Sequence, residues 1–94
     1  MNPHDSAEVP SQVMTREMGD ETVILDLASG TYFSLNPVGT RFWQLVREGR
    51  TLAQACDLMQ DEYDVARDQL EADLQLLAQD LVGRGLLVVR AVSA

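Results

Sequence analysis

The stretch VILDLASGTYFSLNPVGTRFW, residues 23–43, decides the fold, because it encodes two strands, a tight turn and a helix start without spare residues. Glycine at position 30 suits the positive φ angle that the three-residue hairpin loop 28–30 requires. A loop of that length sets three cross-strand pairs: Leu27 with Thr31, Leu25 with Phe33, and Val23 with Leu35. Five of these six side chains are apolar and would share one face. The sequence therefore predicts this register, with Ile24, Asp26, Tyr32 and Ser34 on the other face.

The residues before this hairpin predict a further strand. Positions 13–18 form a weaker strand, Gly19-Asp20 is a turn signal, and positions 21–27 are rich in β-branched and aliphatic residues. The sequence thus predicts an antiparallel meander of three strands with one buried face.

Three helices are predicted after the sheet. Asn36 and Pro37 are a cap and a first helical residue, and this helix ends before Gly49. Thr51 and Gln54 form a capping box for the second helix. Asp64 or Asp68 is expected to cap the third helix, which runs to about Val82 with leucines at 70, 74, 77 and 81. Residues 86–89 return as a strand or a strap. The predicted fold class is α+β, a three-stranded antiparallel sheet followed by three helices, in a winged helix-turn-helix-like order.

The chain of 94 residues is expected to be one domain at positions 11–90, with a disordered segment at 1–10 and a flexible tail at 91–94. No apolar run is long enough to cross a bilayer, and the N-terminus lacks the pattern of a signal peptide. The single cysteine, Cys56, excludes an intrachain disulfide and fits a reducing compartment. We therefore expect a cytoplasmic protein that does not associate with membranes.

The sequence offers little chemistry for catalysis. Its one histidine, His4, lies in the N-terminal segment, and there is neither a phosphate-binding loop nor a clustered set of metal ligands. We expect no catalytic residues, no metal site and no cofactor. The net charge of −8, from 15 acidic and 7 basic residues, repels phosphate backbones. A winged-helix DNA-binding regulator remains the alternative of another class, although the third helix has only Arg67 and Arg84 among several carboxylates.

The strand of residues 31–35, TYFSL, is the predicted site, because it is an edge strand with neither charge nor proline. Natural edge strands are usually protected by such residues. An extended peptide could add to this edge as a fourth strand, with the leucines of the third helix forming pockets beside it. Two other interpretations remain open. The edge could be covered by a helix or the C-terminal tail, or it could pair with a second copy of the chain.

The ordered set of motifs resembles the PqqD-like family. It consists of LDL-x-SG-x-YF-x-LN-x-x-G-x-x-x-W at 25–43, GRTLAQA at 49–55, Tyr63, and a leucine repeat ending in GLL at 70–87. This family is the stand-alone form of the recognition element of ribosomally synthesised, post-translationally modified peptides, and the resemblance spans residues 12–90. It implies an adaptor that pairs the leader region of a precursor peptide with the third strand, beside the third helix. The implied peptide-binding residues are Thr31, Tyr32, Phe33, Ser34, Leu35, Leu70, Asp73, Leu74 and Leu77.

Two branches of the family imply different partner enzymes. The SG-x-YF-x-LN hairpin is more similar to the lasso-peptide type, which passes the precursor to a transglutaminase-like leader peptidase. The alternative is the peptide chaperone of pyrroloquinoline quinone synthesis, which works with a radical-SAM enzyme. In both cases we expect a monomer or weak dimer that binds no nucleic acid.

Overall fold

The computed structural model describes residues 1–90, and it confirms an α+β fold in which three helices follow an antiparallel sheet of three strands. The main elements are β2 (Val13–Met18), β3 (Glu21–Asp26), β4 (Thr31–Leu35), α1 (Pro37–Arg47), α2 (Leu52–Glu62) and α3 (Arg67–Gly83). Two short strands, β1 (Ser6–Glu8) and β5 (Val88–Arg90), form a separate antiparallel pair.

The register of the β3–β4 hairpin differs from the predicted one. Asp26 pairs with Thr31, Ile24 with Phe33, and Thr22 with Leu35, so the loop holds four residues instead of three. On β4, Phe33 and Leu35 still face inward. On β3, the inner face carries Thr22, Ile24 and Asp26, all buried, whereas Val23 and Leu25 lie on the outer face. The predicted face of β3 was therefore wrong.

The side chain of Asp26 explains the longer loop. Its carboxylate accepts hydrogen bonds from the backbone N–H of Ala28 and the hydroxyl of Ser29, both at 3.0 Å. Its carbonyl accepts from the N–H of Gly30 at 2.8 Å, and Gly30 has a φ of 73°. Glycine has the role that the sequence predicted. The aspartate satisfies the polar groups of the loop, and this stabilises a register that counting apolar residues does not favour.

The first two helices begin with the predicted caps, whereas α3 begins after Ala66 without a side-chain cap, so the predicted cap at Asp64 or Asp68 was wrong. Asn36 Oδ1 accepts a hydrogen bond from the N–H of Gly39 at 2.8 Å. Thr51 and Gln54 form a reciprocal capping box, with bonds of 3.1 and 3.0 Å. The helices cover the inner face of the sheet, and Phe42, Trp43 and Leu74 are buried between the layers. Trp43 Nε1 donates to the hydroxyl of Thr15 on β2 at 3.2 Å, which links α1 to the sheet.

The N-terminal segment, expected to be disordered, instead folds onto the domain. β1 pairs with β5, and the carbonyls of Pro3 and Asp5 accept hydrogen bonds from the backbone N–H groups of Ala53 and Leu52. These donors belong to the first turn of α2, which has no intrahelical acceptors for them. The tail expected at residues 91–94 lies outside the described residues. Within residues 1–90, no helix is long and apolar enough to cross a membrane, and no group of side chains is arranged to hold a metal ion.

Candidate functional site

The outer edge of β4 is open in the described part of the chain, because β4 pairs with β3 alone. The direction of its backbone groups follows from β3. The N–H of Leu27 donates to Gln12, on the β2 side of the sheet, so the backbone groups of Asp26 point toward β4. Since backbone direction alternates along a strand, the pairs of β3 with Thr31, Phe33 and Leu35 exchange hydrogen bonds. Tyr32 and Ser34 therefore point two N–H and two C=O groups away from the sheet.

A cleft with a volume of about 430 Å³ lies between β4 and α3. Its floor is made by the buried side chains of Leu35 and Leu74, and half-buried Phe33 and Leu77 also line it. At its α1 end, Gly39 comes so close to β4 that an added Cβ would lie 3.2 Å from a methyl group of Leu35. The cleft thus offers an apolar depression directly beside the free backbone groups of Ser34.

One carboxylate lies on the rim of this apolar cleft. Asp73 lines the cleft from α3 and is exposed, and its Oδ1 accepts a hydrogen bond from Gln69 Nε2 at 2.9 Å. Since no cation pairs with it among residues 1–90, it gives this end of the cleft a negative charge. A chain bound here would be favoured by a cationic or hydrogen-bond-donating side chain at this position.

A smaller recess of about 230 Å³ lies at the other end of β4. It is lined by Thr31, Tyr32, Phe33, Arg84 and Leu86. The guanidinium carbon of Arg84 lies 4.7 Å from the centroid of the Phe33 ring, a cation–π distance. Phe33 thus separates the two depressions. The larger, apolar cleft has the carboxylate of Asp73 on its rim, and the smaller recess has Arg84 in its lining.

The structure places the predicted site residues unequally. Phe33, Ser34, Leu35, Asp73, Leu74 and Leu77 come together around the larger cleft, and Thr31 and Tyr32 line the smaller recess. Leu70 is buried and lines neither depression. That the predicted site residues contact a peptide stays a prediction. The prediction omitted Asn36, Val38, Gly39, Arg84 and Leu86, which line the two depressions.

A third depression, of about 380 Å³, lies between α2 and α3, away from β4. The side chain of Cys56 lies at this groove and is fully buried. Burial raises the pKa of the Cys56 thiol above its ordinary value, and the charge of Arg67 opposes that rise only in part. Because thiolate is the reactive form, the cysteine is unsuited to nucleophilic chemistry at neutral pH. Its side chain belongs to the hydrophobic core instead.

The chain belongs to the PqqD family. The family described as Coenzyme PQQ synthesis protein D matches residues 21–87, which comprise β3, β4, the three helices and the turn after α3. A comparison with functionally curated proteins finds no significant match.

Two solved structures share the fold over nearly their whole length. The first, described as TbiB1 in complex with the TbiA(beta) leader peptide, is 35% identical, with a TM-score of 0.84, covering 90% of this chain and 99% of the other. The second, described as lasso peptide synthetase B1 complexed with the leader peptide, is 24% identical, with a TM-score of 0.82, covering 88% and 98%. Both relatives are in complex with leader peptides.

Proposed function

We propose that this chain is a non-catalytic adaptor that binds the leader region of a ribosomally made precursor peptide and delivers the precursor to a processing enzyme. The leader would add to β4 as a fourth strand of the sheet. The open edge beside an apolar cleft is the observation that supports this most directly. The relative that is 35% identical, named as a leader-peptide complex, supports the same ligand class.

The energetics explain why an edge and a cleft must act together. The four backbone groups of Tyr32 and Ser34 would contribute about 1 kcal/mol net for each hydrogen bond. Ordering a flexible peptide costs about 2–5 kcal/mol, which cancels most of that gain. A micromolar complex needs about 8 kcal/mol. Apolar side chains of the leader, at about 1.5–3 kcal/mol each, would supply the remainder from the cleft at Leu74 and Leu77.

The lasso-peptide pathway is the setting that we propose, with a transglutaminase-like leader peptidase as the partner. Both similar solved structures carry lasso or leader-peptide descriptions. Such an adaptor would work in the cytoplasm, where the precursor is made. The family description favours one alternative, a chaperone for pyrroloquinoline quinone synthesis with a radical-SAM partner. The two differ in the partner enzyme and not in the peptide-binding edge.

Binding of the leader is tested by fluorescence anisotropy with a labelled synthetic leader from the cognate precursor. We expect saturable binding at micromolar concentration. Ser34→Pro should weaken it at least tenfold, because proline removes the N–H that faces the open edge. Ser34→Ala keeps that N–H and is the matched control, with an expected change below about twofold. If the leader does not bind at tens of micromolar, or if both variants bind equally, the proposed function is wrong.

A further inference from the structure

We propose that the recess at Arg84 is a second recognition subsite, which binds an acidic side chain of the leader and sets the leader's direction along β4. This inference rests on the proposed function, since it concerns the same bound strand. Arg84 lies just after the end of α3, at a position that the motifs of the family resemblance leave unspecified.

The geometry of Arg84 leaves the outer part of its guanidinium available. Its Nε donates a hydrogen bond to the carboxylate of Asp80, one turn earlier, at 2.9 Å. The central carbon of its guanidinium lies over the ring of Phe33. Among residues 1–90, the two terminal nitrogens have no hydrogen-bond acceptor, and the side chain is 55% exposed. These contacts hold the guanidinium at the recess and leave its terminal N–H groups free to bind a carboxylate, which arginine does in a bidentate geometry.

The charges at the two ends of the site are opposite. Asp73 lies at the Leu35 end of β4, and Arg84 lies at the Thr31 end. Asp73 and Arg84 are eleven positions apart, from the middle of α3 to its C-cap, which corresponds to about 16 Å at 1.5 Å per residue. Five residues of extended chain span about 17 Å. One bound strand can therefore reach both groups, with its acidic side chain at the Thr31 end and a basic or hydroxyl-bearing side chain at the Leu35 end.

The same charges would disfavour the reverse orientation. A leader bound in the opposite direction would bring its acidic side chain toward Asp73 and its donor toward Arg84, and both contacts would be repulsive or unpaired. Backbone pairing alone does not distinguish the two directions strongly, because the edge offers N–H and C=O groups to either. The charged ends therefore supply directional information that the open edge lacks.

The test compares Arg84→Glu, Arg84→Gln and a control that changes the net charge equally. Arg50→Glu is that control, because Arg50 lies on the loop between α1 and α2 and lines none of the depressions at β4. We expect Arg84→Glu to weaken leader binding at least tenfold, Arg84→Gln by a smaller factor, and Arg50→Glu by less than about twofold. The loss for Arg84→Glu should shrink at high salt.

A charge exchange then identifies the partner of Arg84. Each acidic residue of the leader is replaced in turn by lysine, and each peptide is titrated against wild type and Arg84→Glu. One peptide should bind wild type weakly and recover affinity with the variant, a result that a structural role of Arg84 would not give. Unchanged binding by Arg84→Glu, or no peptide that recovers, would overturn the subsite. If the wild-type chain binds no leader, the proposed function itself fails, which is a separate outcome.

Discussion

At the scale of single residues, Thr22 offers a direct test of the sheet register. It is fully buried on the inner face of β3, and its hydroxyl has no hydrogen-bond partner within residues 1–90. A buried unpaired hydroxyl is costly, and valine has nearly the same shape. We expect Thr22→Val to raise the free energy of unfolding by about 1 kcal/mol. Urea denaturation followed by the fluorescence of Trp43 would measure the change.

Thr15 is the matched control. It pairs with Ile24 of β3, so its side chain lies on the same inner face of the sheet, and its hydroxyl accepts a hydrogen bond from the Trp43 N–H. Thr15→Val makes the same chemical change but leaves the indole N–H unpaired, so we expect a loss of about 1–3 kcal/mol. A register that placed Thr22 on the solvent face would make Thr22→Val nearly neutral. That result would contradict the hairpin described here.

Residue patterns predicted the strands of this hairpin but not their register. Leu25 and Val23 are the more hydrophobic positions, yet the inner face of β3 carries Thr22 and Asp26. The deciding bonds are those of the Asp26 side chain with the loop, and alternation of apolar residues contains no information about them. Arg84 was missed for a related reason, since its position over Phe33 depends on how α3 ends and not on a motif.

At the scale of elements, the N-terminal segment supports α2 from outside the main sheet. Removing residues 1–8 would take away two main-chain acceptors of α2, the β1–β5 pair and the buried side chain of Ala7. We expect a loss of about 2–4 kcal/mol in unfolding free energy, at about 1 kcal/mol for each hydrogen bond and each small buried group. Leader affinity should change by less than about twofold, because β1 pairs with β5 and leaves β4 untouched.

Glu8→Ala serves as the control for that truncation. It removes only the ion pair with Arg90, in which both side chains are more than half exposed. Such pairs contribute about 0–1 kcal/mol, so its stability should stay near wild type. A truncated chain as stable as wild type would mean that residues 1–8 do not pack as described. Thermal unfolding and leader titration on the same samples would separate the effect on folding from the effect on binding.

The starts of α1 and α2 were predictable because their capping signals are local, whereas the β1–β5 pair was not. Asn36 caps α1, and Thr51 with Gln54 caps α2, both as expected, whereas α3 begins after Ala66 without the predicted aspartate cap. Residues 6–8 pair with residues 88–90 across almost the whole chain. The sequence predicted a strand or strap at residues 86–89, close to β5, but its partner β1 has too short a pattern to predict, and tertiary packing alone brings the two together.

At the scale of the whole molecule, charge decides whether the open edge pairs with a second copy. The region 57–84 holds eight acidic and two basic residues, so most of the net charge of −8 lies on α2 and α3. Two copies joined through β4 would form one continuous sheet, and each copy would place its α3 beside the shared β4–β4 seam. The electrostatic repulsion between the two negatively charged α3 helices acts over about 10 Å at 0.1 M salt but over only about 3 Å at 1 M.

The last prediction follows from that balance between an unpaired edge and a negative surface. We expect a monomer at low ionic strength and an increasing dimer fraction as salt rises, measured by light scattering at fixed protein concentration. A saturating amount of leader should restore the monomer at high salt, because the peptide occupies the backbone groups of Tyr32 and Ser34 that a second copy would need. Ser34→Pro should reduce the salt-induced dimer as well, since it removes one of those groups. A dimer that is stable at low salt and resists the leader would instead assign the β4 edge to self-association, and the adaptor would then lack a free strand to offer its peptide.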